Sequence, residues 1–135
     1  MKPIFVDTSG FAALLNRGDV NHALALAFDR QVAEQRLRLL TSNFVLDETY
    51  TWLRQTLGHA QTVSFGVHIQ QSKVVEVVYV TPEIERIAWD ILARYVDKSF
   101  SYTDCTSFAL MRQLNLDTAF TFDHHFRQFG LTVIP

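Results

Sequence analysis

The stretch Ile4-Phe5-Val6-Asp7-Thr8-Ser9-Gly10-Phe11 places the strongest constraint on this chain: an apolar strand ends abruptly in a carboxylate, and a helical stripe starts directly behind it. A strand that delivers an acid at its carboxyl end is a device for presenting that acid. The same device recurs near the other terminus, where Ala119-Phe120-Thr121-Phe122 runs into Asp123. In open α/β sheets ligands bind outside the carboxyl ends of the strands. Two acids delivered there by two strands are therefore expected to meet in one crevice.

The 135 residues are 48% hydrophobic and 19% charged, which suits one domain over residues 1–135 with a full core. The formal net charge of -2 gives the surface no general attraction for polyanions, so any nucleic acid must be held by a local patch. A single cysteine, Cys105, excludes an internal disulfide and fits a reducing compartment. No apolar run reaches the roughly 18 residues of a membrane span, and Asp7 interrupts the first run before it could form a signal-peptide core. The expectation is a soluble, cytoplasmic protein without a membrane partner.

Periodicity predicts a helix from Phe11 that stops at Asn16-Arg17-Gly18, and a second from Asp19 or Val20 to about Glu34–Arg36. Leu37 to Leu40 reads as extended. Thr41, Ser42 and Asn43 are cap candidates for a helix from Phe44 to Leu57 that ends at Gly58. His59 to Ser72 has helical spacing despite Gly66. Val74 to Val80 is a nearly continuous apolar run, as expected of a strand covered on both faces. Thr81-Pro82 opens a helix to about Val96, with threonine as cap and proline in the first turn. A helix over Thr103–Leu114 and strands over Thr118–Phe122 and Leu131–Ile134 complete the chain. Strands alternating with helices imply a three-layer α/β/α sandwich with a central, mostly parallel sheet and right-handed crossovers.

At about 100° per residue, Glu48 falls between Phe44 and Trp52 on an apolar arc, whereas Asp47 falls near Thr51 and Arg54. Asp104 shares an arc with Phe108 and Met111. Both Glu48 and Asp104 are thus expected where burial penalises charge. Singly, each acid has a plainer reading: Asp7 and Asp123 suit strand-end turns, Asp104 suits a helix N-terminus, and Glu48 can reach past Trp52 to solvent. Together, four carboxylates would repel one another unless a cation sat among them. Mg²⁺ prefers a few carboxylates with retained waters and phosphate oxygens, and phosphodiester hydrolysis is the chemistry that uses such a site.

Val6-Asp7-Thr8-Ser9, Phe44-Val45-Leu46-Asp47-Glu48, the run Tyr102 to Ala109, and Thr121-Phe122-Asp123-His124-His125-Phe126 resemble, in order and spacing, the motifs of the PIN-domain family. They stand close to its VapC-type toxin ribonucleases. The resemblance covers essentially the whole chain. It implies a compact α/β/α domain acting as a Mg²⁺- or Mn²⁺-dependent endoribonuclease, with RNA as substrate. It also implies that Asp7, Glu48, Asp104 and Asp123 form the catalytic acidic quartet, with Asp7 and Asp104 as direct metal ligands and Thr8 or Ser9 as a steadying hydroxyl. A small antitoxin partner and a homodimer follow from the same resemblance.

Other residues have milder readings. The pair His124-His125 reads chiefly as solvated, with phosphate contact as the alternative, and is not spaced like a zinc site. His22 caps or packs, and Cys105 is a small buried residue. Arg17, Arg54, Lys98 and Arg112 line an RNA groove or simply solvate the surface. The aromatic rings read as core, since no clustered stacking platform is visible. Two rival functions keep this fold: a housekeeping RNA-processing or DNA-directed nuclease, and a catalytically idle module that binds protein or RNA. A phospho-accepting receiver domain also places acids at strand ends, but the late-strand lysine it needs is missing.

Overall fold

The structure is a computed structural model that describes residues 1–135. Its elements follow the order β1 (Ile4–Val6), α1 (Thr8–Leu15), α2 (His22–Gln35), β2 (Leu39–Ser42), α3 (Asn43–Thr56), α4 (His59–Gln71) and β3 (Val75–Val78). They continue through α5 (Pro82–Arg94), α6 (Tyr102–Gln113), β4 (Thr118–Phe120), α7 (His124–Gln128) and β5 (Thr132–Ile134). The strands form one parallel sheet in the order β3-β2-β1-β4-β5. With right-handed crossovers, this order sends α1 to α4 to one face and α5 to α7 to the other. The helix contacts agree: α1 packs on α2 and α3, and α3 on α4, while α6 packs on α5 and α7. The result is the α/β sandwich expected from the alternation of elements.

Strand alternation fills the two faces with different aromatics. Phe5 of β1 stacks on Phe126 of α7, which meets Phe108 of α6 edge-on. Phe120 of β4 faces the other layer, with its ring centroid 4.3 Å from that of Phe28 in α2. Phe5, Phe108 and Phe126 are fully buried, so these rings are core as expected, whereas Tyr79 and Trp89 lie exposed on the surface. Gly10 lets α1 approach β4: a Cβ there would lie 2.7 Å from the Phe120 carbonyl oxygen.

Ser42, among the three cap candidates, caps α3 and accepts the Val45 N–H. Thr41 instead lies in β2, where its hydroxyl donates to the Val6 carbonyl at 2.9 Å. The second helix starts at His22, later than expected, because Asp19 and Asn21 are held in a turn closed by the Asn21 N–H on Asp19 Oδ1 at 2.7 Å. His22 Nδ1 lies 2.8 Å from the Ala13 carbonyl oxygen and ties α2 back to α1.

The expectation for residues 74–80 needs correction. The strand is shorter, Val75–Val78, and it lies at the sheet edge with Glu76 exposed and its three valines only half-buried. Its valines pack on the core from the rim and are not covered on both faces.

Candidate active site

In this strand order the chain runs outward from β1 in both directions, so the sheet reverses between β1 and β4. A crevice opens beyond the carboxyl ends of strands at such a switch point. Asp7 stands there, directly after β1, and is 3% exposed. Its Oδ2 accepts the Ser9 hydroxyl at 3.2 Å and the Thr121 hydroxyl at 3.1 Å. The two hydroxyl oxygens are 2.9 Å apart, and they also accept the backbone N–H groups of Phe122 and Asp123 respectively. This lattice of short polar bonds fixes the segment after β4 to the first turn of α1. Thr8, the other candidate hydroxyl, also lines the crevice, but it donates to the Val45 carbonyl at 3.4 Å and not to Asp7.

Asp104 enters from the first turn of α6, where it closes a reciprocal cap with Ser101. The Asp104 N–H donates to Ser101 Oγ at 3.0 Å, and the Ser101 N–H donates to Asp104 Oδ2 at 3.1 Å. Asp123 caps α7 and accepts the His125 N–H on Oδ1 at 2.9 Å. The imidazole of His125 turns back so that Nδ1 lies 3.1 Å from Asp104 Oδ2 and 3.2 Å from Asp123 Oδ1. Each aspartate therefore ties one oxygen to protein donors. Its second oxygen, Oδ1 in Asp7 and Asp104 and Oδ2 in Asp123, accepts from no side chain.

A cleft of about 350 Å³ is lined by Asp7, Ser9, Glu48, Trp52, Phe122 and Asp123, among others, and by no lysine, arginine or histidine. Glu48 faces this cleft whereas Asp47 faces a separate groove beside β3, so the helical-face argument distinguishes the two neighbours. Burial of Glu48 is the part that fails. It is exposed, because Phe44 and Trp52 are themselves only half-buried and leave the carboxylate on the cleft wall.

The electrostatics follow from burial and crowding. Asp7 is pushed up to about 7, first by burial and then by the charge of Asp104, with Glu48 adding to it and the Thr8 N–H and Thr121 hydroxyl opposing. Burial also raises Asp104, with Asp123 adding, against the Ser101 N–H and His125. No lysine or arginine pairs with any of these acids; the one such pair in the chain is Lys98 with Asp97. A carboxyl group raised by burial and then by neighbouring carboxyls, with hard oxygen donors beside a cleft, suits a small divalent cation.

Reasoning from sequence missed Ser101, Thr121 and above all His125. His124 is solvated as expected, with 72% of its side chain exposed, but His125 retains only 17% and is part of the site. The signal was its proximity to Asp123 at the opening of a helix. Cys105 is buried, as expected, and burial first, then Asp104, pushes its thiol up to about 11, away from nucleophilic use. None of Arg17, Arg54, Lys98 and Arg112 lines the acidic cleft; the Arg112 guanidinium lies over the Phe129 ring at 4.9 Å.

Residues 4–131 match the PIN domain. The chain belongs to the PIN-domain family. This PIN domain is 40% identical to the 23S rRNA-specific endonuclease VapC20 of Mycobacterium tuberculosis over 131 residues, 97% of each chain. It is 33% identical to a VapC ribonuclease of Archaeoglobus fulgidus over 113 residues, 82% of this chain and 71% of that one. The crystal structure of Mycobacterium tuberculosis VapC20, described as a Sarcin-Ricin loop cleaving toxin, matches with a TM-score of 0.87 over 98% of this chain and 99% of that one. FitAcB from Neisseria gonorrhoeae, at 16% identity and a TM-score of 0.72, shares the PIN fold. With this degree of likeness the PIN domain is of the VapC type.

Proposed function

We propose that this PIN domain is an endoribonuclease that hydrolyses RNA phosphodiester bonds with Mg²⁺ or Mn²⁺, and that it serves as the toxin of a toxin–antitoxin pair. The observation that carries the reading is the convergence of Asp7, Asp104 and Asp123, with Glu48 on the cleft wall, without a lysine or arginine to balance them. A divalent ion, when bound, supplies Lewis-acid activation of water and stabilises charge on the displaced oxygen.

The chain's own residues have distinct parts in this reading. Asp7 and Asp104 would hold the ion, each having one carboxylate oxygen without a side-chain donor. Ser9 and Thr121 hold Asp7 in one orientation, so that its second oxygen meets the cleft without a reorganisation cost. Asp123 completes the ion's surroundings from the β4 side. Glu48, exposed on the opposite wall, is free to accept a proton from an attacking water or to orient it.

The partner reading rests on the VapC likeness: a small antitoxin protein, and self-association into a homodimer. Co-purification with the product of an adjacent small reading frame and a sedimentation mass test these two. No helix is long and apolar enough to cross a membrane, which accords with action in the cytoplasm. VapC20 is named for 23S rRNA, so a sarcin–ricin hairpin is the first RNA to try. Wild-type protein is expected to cleave with Mg²⁺ or Mn²⁺ and to stop with EDTA, and Asp7→Asn is expected to be inactive throughout. Equal cleavage by both proteins under all three conditions would rule the mechanism out.

A further inference from the structure

Two of the site's acids come from separate elements: Asp104 from α6 and Asp123 from the cap of α7. Nothing in the backbone hydrogen bonds joins those two turns; the one polar group that touches both carboxylates is His125 Nδ1. The ring is held from several sides. Its plane meets Phe100 edge-on, with centroids 5.5 Å apart. The next residue, Phe126, is fully buried against Phe5 and Phe108. The imidazole therefore has little freedom to leave the two acids.

The choice of oxygens gives this contact a purpose. His125 engages Asp104 Oδ2, which also takes the Ser101 N–H, and Asp123 Oδ1, which also takes the His125 N–H. The donors thus concentrate on one oxygen of each carboxylate. Rotation of either group would break two contacts at once. The oxygen opposite each is left without a side-chain donor and is directed by what happens behind it.

Resting on the metal-dependent reading above, we propose that His125 is a positioning residue: it locks Asp104 and Asp123 in the rotamers that turn their remaining oxygens to one divalent ion. In this role its Nδ1 serves the two carboxylates and does not ligate the ion. Groups that hold metal ligands from behind typically contribute 10- to 100-fold to metal affinity, and that is the scale expected here.

Three substitutions separate this role from simple packing. His125→Asn places an amide N–H where Nδ1 lies, His125→Gln carries its amide on to the place of Nε2, and His125→Leu has no donor. Mn²⁺ binding by calorimetry is expected to weaken about 10- to 100-fold in the Leu and Gln proteins and only a few-fold in Asn. In RNA cleavage at saturating metal, kcat is expected to fall in Leu and Gln with KM unchanged, and to recover in Asn. Should the Leu protein misfold by circular dichroism, the Asn and Gln pair still decides the matter. Mn²⁺ affinities and kcat values equal to wild type in Gln or Leu, or equally reduced in Asn, would overturn the positioning role. Absence of Mn²⁺ binding by wild type would instead overturn the metal-dependent reading, and His125's role with it.

Discussion

Asp7 shows how much a single side chain can reveal about a pocket. Its unfolded-state value of 3.8 rises to about 7 in the fold. The folded chain therefore holds this proton to higher pH than the unfolded chain does. Stability linked to the group is complete below pH 3.8, falls as pH rises toward 7, and is constant above. The cost at neutral pH is on the order of 4 kcal/mol. Denaturant melts in EDTA are accordingly expected to show wild type less stable at pH 8 than at pH 5. Asp7→Asn, which keeps an acceptor for Ser9 and Thr121, is expected to be more stable than wild type at pH 8 and to lose most of that slope. The remainder belongs to Asp104, raised in the same direction. A wild-type slope retained in full by Asp7→Asn would contradict this account. Asp7 was legible in the sequence because an apolar run ending in a carboxylate is a local pattern. His125 was not, because its meaning lies in a contact with Asp104, 21 residues away in the chain.

At the scale of elements, periodicity placed helices and strands well, and it failed where an element's neighbours decide its surroundings. An apolar run of valines reads alike at the centre of a sheet and at its rim; pairing with β2 alone puts β3 at the edge. Glu48 shows the same limit, since a helical arc gives direction but not the depth of the cleft beside it. Two glycines test the helices. At Gly66, inside α4, an added Cβ would meet the Tyr50 ring at 3.6 Å, an ordinary contact, so Gly66→Ala is expected to stabilise by about 1 kcal/mol in chemical melts. At Gly10 it would meet the Phe120 carbonyl at 2.7 Å. Gly10→Ala is expected to cost about 1 to 3 kcal/mol and to impair RNA cleavage, because α1 and the Ser9 hydroxyl must retreat from β4. Wild-type stability and activity in Gly10→Ala would show that this close approach is dispensable.

For the molecule as a whole, the fold class followed from the order of elements, and the four short motifs had already grouped the four acids; what strand order adds is that β1 and β4 are neighbours, which brings Asp7 and Asp123 to one cleft. On the metal-dependent reading, that convergence makes an ion part of the fold's energetics. Mn²⁺ at about 100 times its Kd is expected to add roughly 2.7 kcal/mol to unfolding, seen as a metal-dependent rise in melting temperature that Asp7→Asn lacks. Equal shifts in both proteins would place the ion elsewhere.

The pairing of β1 with β4 has a further bearing on how such a chain is made. Asp7 leaves the ribosome early, but its partners Thr121 and Asp123 lie more than a hundred residues later, and β4 is laid beside β1 only then. On the ribonuclease reading proposed above, a growing polypeptide of this kind has no complete acidic crevice until nearly the last codons have been read. Nascent chains stalled at Leu116 are expected to leave RNA intact, and the same chains released at full length to cut it; cutting by the stalled form would show that half the crevice suffices.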